Sequence, residues 1–294
     1  MFVELSATSN FTFLTGASHP EEYMARAALL GLPALAIADE NSVAGIVRAH
    51  SEVQKINRLV AEASKAERFG PPKPAHLPTP PSAQILNVPR LIPAAILHFE
   101  EGISLTALPE TRQGWASLCR LLSKGRLRAR KGTCHLRVAD LLDLGKELQL
   151  LLHPPQAVTS KRGAGDWVSQ ARRLTRRFGQ NTHLLMAPSY DGQDTIRFEQ
   201  IAKLGQSLNL PLIASARPIM HQARRRRLAD VLTAIRTSKR VDQLGRAALA
   251  NAEQRLRSEA EMQTLFHAYP EAVERTGVLA DGLQFSLDEL RYEY

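Results

Sequence analysis

The sequence has few cysteines and few aromatic residues, and it contains no long apolar run. Its two cysteines, Cys119 and Cys134, exclude a dense disulfide framework and favour a reducing compartment. No stretch approaches the ~20 consecutive apolar residues of a membrane-spanning helix. Glu4 interrupts the start of the chain, where a signal peptide would have a basic segment followed by an apolar one. We therefore expect a cytoplasmic protein without a membrane partner.

Several motifs that carry common chemistries are also absent. The sequence contains no phosphate-binding Gly-x-x-x-x-Gly-Lys loop, no Gly-x-Gly-x-x-Gly, no Cys-x-x-Cys and no Gly-x-Ser-x-Gly. No Asp-x-Asp is present, so the carboxylate pair that holds polymerase magnesium ions is missing. The nine histidines include no His-x-His pair. These absences exclude the function classes that such local motifs predict: nucleotide binding by a phosphate loop, dinucleotide binding, thiol redox chemistry and serine hydrolysis.

The overall composition is that of a folded, basic protein. Of 294 residues, 44% are hydrophobic and 23% charged, a balance that excludes a mostly disordered chain. Lys and Arg total 38 against 29 Asp and Glu, which gives a formal net charge of +9. Such an excess favours contact with polyanions, although net charge alone indicates only non-specific binding.

Apolar runs of strand type alternate with stretches of helical periodicity along the chain. This alternation predicts an α/β fold in which a parallel sheet or barrel carries helices on its outside. Two short helices, near 260–267 and 270–281, are expected to close the chain. The predicted strands are Phe2–Ala7, Ala34–Ile37, Leu91–Leu97, Ile103–Leu108, Leu148–Leu152, His183–Ala187 and Pro211–Ala214.

Two local signals refine this prediction. Ser18-His19-Pro20-Glu21 has the Ser-x-x-Glu form of a capping box, so we expect a helix from there to Leu30, stopped by Gly31. Between Pro71 and Pro89 there are seven prolines. Because proline fixes φ and lacks a backbone donor, we interpret residues 70–89 as an exposed loop or insertion.

In a barrel of this class, functional groups lie at the carboxyl ends of the strands. The side chains available there include Ser6, Thr8, Asp39, Glu40 and three isolated histidines, His98, His153 and His221. One interpretation is a metal-dependent phosphoesterase with an atypical ligand set of Asp39, Glu40 and these histidines. The absence of His-x-His weakens it, and Asp39-Glu40 is equally typical of an acidic pair at a helix start.

Three arginine-rich clusters stand out: residues 112–131, Arg172 to Arg177, and Arg224–Arg227. Runs of like charge usually form solvated faces, but three in one chain favour phosphate contact. An alternative function is therefore a basic nucleic-acid-binding module. Few aromatic residues lie near these clusters in sequence, so base stacking is not indicated. The candidate phosphate contacts are Lys124, Arg126, Arg128, Arg130, Lys131, Arg224, Arg225, Arg226 and Arg227.

Several segments, in order, resemble a known family. Phe2–Gly16 (FVELSATSNFTFLTG) and Gly31–Gly45 (GLPALAIADENSVAG) resemble the polymerase-and-histidinol-phosphatase (PHP) domain at the start of bacterial C-family DNA polymerases. LCRLLSKG at 118–125, KGTCHL at 131–136, LADVLTAIR at 228–236 and FSLDELRYEY at 285–294 are most similar to the error-prone branch, which acts in DNA repair and translesion synthesis.

The resemblance implies a distorted (β/α) barrel of PHP type with a C-terminal helical extension. The implied domains are a barrel over 1–225 and a helical connection over 226–294, leading toward a polymerase palm beyond Tyr294. The family is a DNA-directed nucleotidyltransferase whose magnesium belongs to the palm, so this chain is expected to be inactive alone and to carry no cofactor. Its implied partners are DNA, the remainder of the polymerase and subunits of the mutagenesis complex.

The same resemblance places the family's metal ligands on positions that have mostly lost ligand chemistry. Asp39 alone retains a ligand type. We hypothesise that Arg217 supplies the missing positive charge and pairs with Asp39 and Glu40. The degenerate positions are Ser6, Thr8, Asp39, Glu40, Ile96, Arg217 and Ile219.

Overall fold

A computed structural model describes residues 1–69, 88–155 and 164–290. The strands are β1 (Glu4–Ala7), β2 (Ala34–Glu40), β3 (Arg90–His98), β4 (Ser104–Pro109), β5 (Leu148–His153), β6 (Thr182–Met186) and β7 (Leu212–Ala214). The helices are α1 (Pro20–Leu29), α2 (Ile46–Phe69), α3 (Arg112–Arg128), α4 (Val138–Leu144), α5 (Ala164–Phe178), α6 (Asp194–Leu208), α7 (Arg226–Arg236), α8 (Glu259–Leu265) and α9 (Pro270–Gly282).

The strands form one seven-stranded sheet in the order of the sequence. Six strands run in one direction, and β4 runs against both of its neighbours, so the expectation of an all-parallel sheet is wrong for this strand. The reason is the short connection: only residues 99–103 join β3 to β4, whereas a parallel crossover needs about a dozen or more. The α/β class and the distorted (β/α) barrel are confirmed.

The sheet separates two apolar cores because successive side chains on a strand point to opposite faces. Leu35 and Ile37 of β2 lie in the outer core under the helices. Ala36 and Ala38 of the same strand lie in the inner core, enclosed by the curl of the sheet. The alternation continues to the strand ends, so Glu40, which follows the parity of Ala38, belongs to the inner face.

Helix α9 fills the inner core from the end opposite the strands' carboxyl ends. Its Leu279 and Ala280 and the following Leu283 are buried among inner-face residues of the sheet. Arg90 at the start of β3 donates a hydrogen bond to Ala280 O at 2.6 Å and another to Leu283 O. The boundary at residue 225 stays a prediction, but α9 is packed as a structural part of the barrel.

Local details correct the predicted start of α1. The residue before the helix is His19, and its backbone N–H donates to Glu22 Oε2 at 2.9 Å. Ser18 does not cap the helix, because its Oγ accepts the His221 N–H at 2.9 Å. The predicted stop is confirmed, since Gly31 follows α1 with φ of 68°, the left-handed region that glycine favours. Most of the proline-rich segment, 70–87, lies outside the described residues.

Candidate functional site: the barrel mouth

The carboxyl ends of the parallel strands surround one opening, which we call the barrel mouth. Its inner face is lined by polar side chains. Strand alternation places those of β2 to β5 there, whereas Ser6 turns inward where the register of β1 is irregular, between Glu4 and Ala7. The lining side chains come from β1, β2, β3, β4, β5 and the segment after β7, and they are Ser6, Glu40, His98, Thr106, His153 and Arg217.

Three of these side chains form a buried chain of hydrogen bonds across the inner face. Ser6 Oγ lies 2.9 Å from Thr106 Oγ1, which lies 2.9 Å from His153 Nε2. Burial, reinforced by the positive charge of Arg217, lowers the pKa of His153 well below its ordinary value. The imidazole is therefore neutral at pH 7, and the hydroxyls of Ser6 and Thr106 are committed to this chain.

Glu40 and His98 form a second pair at the opening. His98 Nε2 lies 3.7 Å from Glu40 Oε1, and His98 Nδ1 lies 2.8 Å from Ser104 Oγ. The neighbouring His98 ring lowers the pKa of Glu40, and Arg217 and Arg236 lower it further. Glu40 is thus an ionised carboxylate at neutral pH.

Arg217 adopts a backbone conformation that non-glycine residues rarely use, with φ of 44°. Burial lowers the pKa of its guanidinium, and the charges of Glu40 and Glu4 act in the opposite direction. Within the described part of the chain, its side chain has no ion pair within 4.0 Å. Arg217 therefore contributes positive potential to the mouth through space.

The hypothesised pair between Arg217 and Asp39 is wrong. The Asp39 carboxylate accepts hydrogen bonds from Ser9 N at 2.9 Å, Ser9 Oγ at 2.8 Å and Thr12 Oγ1 at 2.9 Å. The physical reason is strand parity, since Asp39 follows Leu35 and Ile37 and so points away from the inner face that Arg217 borders. Burial raises the pKa of Asp39. Its hydrogen bonds to Ser9 and Thr12 stabilise the loop 9–17.

Sequence reasoning missed the most buried acid of the site. Glu4 Oε1 accepts from Ser6 N at 2.9 Å and from Ser215 Oγ at 2.5 Å, and Oε2 accepts from Ala216 N at 2.8 Å. Burial raises the pKa of Glu4. The sequence does contain a signal for this role, since Glu4 interrupts the apolar strand Phe2–Ala7. An acid buried in such a strand requires hydrogen-bond donors from elsewhere in the fold.

The remaining degenerate positions also have local structural roles. Thr8 Oγ1 donates to Ala38 O at 3.4 Å, and Ile96 lies in the inner core. Ile219 O accepts the Ala17 N–H at 2.7 Å, and its side chain packs against a small cluster that includes Met220. Their roles at a lost metal site stay a prediction.

The residues of the atypical ligand set do not converge. His221 lies away from the others, with Nδ1 2.7 Å from Ser18 Oγ, and burial lowers its pKa to about 4. Asp39 is enclosed by Ser9 and Thr12, and His153 is bonded to Thr106. Across 1–69, 88–155 and 164–290, no group of three or more His, Cys, Asp or Glu side chains could hold a metal ion. The residues of the mouth therefore do not fit the metal centre that the family resemblance implies.

The basic residues near α3 fall into two groups. Lys124 and Arg128 both form ion pairs with the buried Asp140, at 2.8 and 2.7 Å, and its single carboxylate offsets one of their two charges. Arg126 donates to Asn41 O at 2.7 Å. Arg130 and Lys131 are exposed and have no ion pair with any described residue.

The run Arg224–Arg227 divides in the same way. Arg225 forms an ion pair with Glu22, and Arg226 lies 3.5 Å from Asp230 and donates to Leu249 O. Arg224 and Arg227 are exposed, and no acid in the described ranges pairs with either. These two, with Arg130 and Lys131, are the candidate phosphate contacts that remain free.

Comparison with known proteins shows which polymerases the chain resembles. The chain is 40% identical, over 305 aligned residues, to the error-prone DNA polymerase of Ruegeria pomeroyi. It is 36% identical to those of Rhodopseudomonas palustris and Mesorhizobium japonicum. Each match includes all of this chain. Over its whole length, this chain is therefore similar to a part of the error-prone DNA polymerases. It spans only 27%, 24% and 23% of the lengths of these three polymerases.

Other comparisons add little. No family model matches the sequence. Among solved structures, an amidohydrolase from Chromobacterium violaceum gives a TM-score of 0.42 at 12% identity over 74% of this chain and 87% of that one. Endonuclease Q gives 0.40 at 14% identity over 74% and 48%. Likenesses at this level support no conclusion about function. Among the described residues, no helix is long and apolar enough to cross a membrane.

Proposed function

We propose that the chain is a structural, non-catalytic PHP-type domain of an error-prone DNA polymerase that serves DNA repair and translesion synthesis. The observation that carries this proposal is the barrel mouth, where several polar side chains are committed to local hydrogen bonds. Ser6, Thr106 and His153 are joined by hydrogen bonds, and Asp39 is saturated by Ser9 and Thr12. In the described part of the chain, no group of three or more His, Cys, Asp or Glu side chains is placed to hold a metal ion, so we expect no hydrolytic metal in the mouth.

The same geometry explains how the barrel stands without metal ions. Glu4 connects β1 to the segment after β7 through Ser215 and Ala216. Arg217 places a cation near Glu40 and Glu4, where the charge of metal ions would otherwise balance the carboxylates. The side chains of Ser6, Thr106 and His153 therefore maintain the fold. Glu40 and His98 stand partly exposed at the opening, and in this proposal they serve no catalytic step.

The proposal assigns polymerisation to the rest of the polymerase, which also holds the magnesium ions. This chain alone is inactive as a nucleotidyltransferase. Its partners are that remainder, the other subunits of a mutagenesis complex and DNA, which the free cations Arg130, Lys131, Arg224 and Arg227 would contact. We expect the chain to be located in the cytoplasm.

A chimera tests the proposal. In the Ruegeria pomeroyi polymerase, the segment that aligns with this chain is replaced by this chain, and primer extension with magnesium is measured. The chimera should extend primers, because the barrel needs only to support the polymerase. A version that lacks the segment altogether should be unstable or inactive. Full activity and stability of that deletion would show that the domain is not a structural support.

A further inference from the structure

A groove beside the barrel mouth combines features that the proposed function does not use. It has a volume of about 760 Å³ and runs between residues 11–13, the turn at 40–44, one side of α3 and residues 132–134. We call it the α3 groove. Its walls include Phe11, Phe13, Ser42, Leu122, Arg126 and Thr133.

An aromatic side chain stands exposed at the edge of this groove. Phe13 is 82% exposed, so its ring is open to solvent. The loop that carries it is fixed at several points: Asp39 holds Ser9 and Thr12, Asn10 N donates to Ser18 O at 2.8 Å, and Ala17 N donates to Ile219 O at 2.7 Å. Phe13 is therefore presented to solvent on a rigid support.

One cation lines the groove, and two more directly precede part of its wall in sequence. Arg126 lines it and holds Asn41 O with one nitrogen, which orients the guanidinium and leaves its other N–H groups available. Arg130 and Lys131, just before the wall at 132–134, are exposed without an ion pair among the described residues. Glu40 is the one acid among the described residues of the wall, and His98 Nε2 lies 3.7 Å from its Oε1.

We propose that the α3 groove binds single-stranded nucleic acid, with a base stacked on Phe13 and backbone phosphates held by Arg126, Arg130 and Lys131. Exposed aromatic faces combined with a basic track are the features by which proteins bind single strands with little sequence preference. Bases in a duplex are already stacked and paired, so Phe13 discriminates in favour of unpaired strands. The groove would supply part of the DNA contact that the proposed function includes. Its test measures binding by this chain, so its outcome is separate from that of the polymerase chimera.

The test is fluorescence anisotropy with a labelled oligo(dT) strand and a duplex of the same length, using the whole chain. Phe13→Ala should weaken single-strand binding about 5- to 100-fold, the range for loss of one stacked base. Phe13→Tyr should restore it. The matched control is Leu127→Ala, because Leu127 is 88% exposed, apolar and next to Arg126, yet lies outside the groove wall. Its binding should equal that of the parent chain.

A triple variant, Arg126→Gln with Arg130→Gln and Lys131→Gln, should reduce the slope of log affinity against log salt by about 0.7 for each lost phosphate contact. Equal thermal unfolding of Phe13→Ala and the parent chain shows that the comparison is between folded proteins. Unchanged single-strand affinity in Phe13→Ala overturns the proposal, as does an equal loss in Leu127→Ala. The proposal is also overturned if the duplex binds as tightly as the single strand and neither affinity changes in Phe13→Ala.

Discussion

Glu4 on the first strand and Ser215 after the last strand are joined by a hydrogen bond of 2.5 Å between Oε1 and Oγ. The pair lies where the two edges of the curled sheet approach each other. No backbone ladder joins β1 to β7 in the described sheet, whose order begins with one and ends with the other. The carboxylate of Glu4 therefore replaces ladder hydrogen bonds at this seam.

Glu4→Gln should destabilise the protein by about 1–3 kcal/mol, because the amide nitrogen would face the Ala216 N–H and leave a buried donor unsatisfied. Chemical denaturation at pH 7 measures the change in the free energy of unfolding. Ser215→Ala removes a donor to Glu4 and also the acceptor of the Arg217 N–H, so it should destabilise the protein by a similar amount, about 1–3 kcal/mol. Equal stability of Glu4→Gln and the parent chain would contradict the role of Glu4 at the seam.

The packing of α9 predicts a large effect of a substitution far from the mouth. Leu283 is 1% exposed within the inner core, so Leu283→Ala should cost about 2–5 kcal/mol of stability in a single cooperative transition. Val278 on α9 is 73% exposed, and Val278→Ala should change stability by less than about 0.5 kcal/mol. A separate transition for the segment after residue 225 would instead support an independent helical domain.

His221 makes stability depend on pH below neutrality. Burial, with contributions from Arg224 and Arg26, lowers its pKa to about 4 in the folded state, against an ordinary value of 6.5. As pH falls below 6.5 the unfolded chain binds a proton that the folded chain does not, so stability is lost progressively down to about pH 4.

Between pH 7 and pH 5 this contribution amounts to up to about 2 kcal/mol. Urea denaturation at the two pH values measures how much of the free energy of unfolding is lost between them. In His221→Gln this loss should be smaller than in the parent chain by that amount. His267→Gln, at an exposed site, should leave the loss unchanged. The same pH dependence in all three proteins would show that His221 is not buried as described.

The division of the run Arg224–Arg227 predicts unequal roles in DNA binding. Arg224→Glu with Arg227→Glu should weaken duplex binding and reduce the salt slope by about 0.9 for each phosphate contact removed. Arg225→Gln removes the ion-pair partner of Glu22, so it should also lower the stability of the folded protein. Unchanged DNA affinity in the double variant would assign these two arginines to an ordinary solvated face.

Much of the fold follows from local patterns, and the failures have identifiable causes. Each of the seven predicted strands corresponds to a strand of the sheet, because buried strands are short apolar runs between helical segments. The short connection 99–103 is the sequence feature that indicates the direction of β4. Helix α4, at Val138–Leu144, was not predicted: its seven residues give too short a periodic pattern.

The site was predictable only in part, since its key relationships join residues far apart in sequence. Glu4 meets Ser215 and Ala216, and Phe13 shares a groove with Arg126. The absence of aromatic residues near the basic clusters in sequence argued against base stacking, but folding brings Phe13 to one of them. Strand parity, applied to Leu35, Ile37 and Asp39, would have excluded the Asp39–Arg217 pair.

The central claim is that the barrel serves the polymerase as a structural domain without a metal centre. Elemental mass spectrometry of the purified chain, after equilibration with manganese or zinc and desalting, tests it most directly when combined with a phosphodiesterase assay. The account predicts substoichiometric metal and no turnover. Two or three tightly bound ions with phosphodiester hydrolysis, lost in Glu40→Gln or His98→Gln, would contradict it and make the mouth a phosphoesterase site.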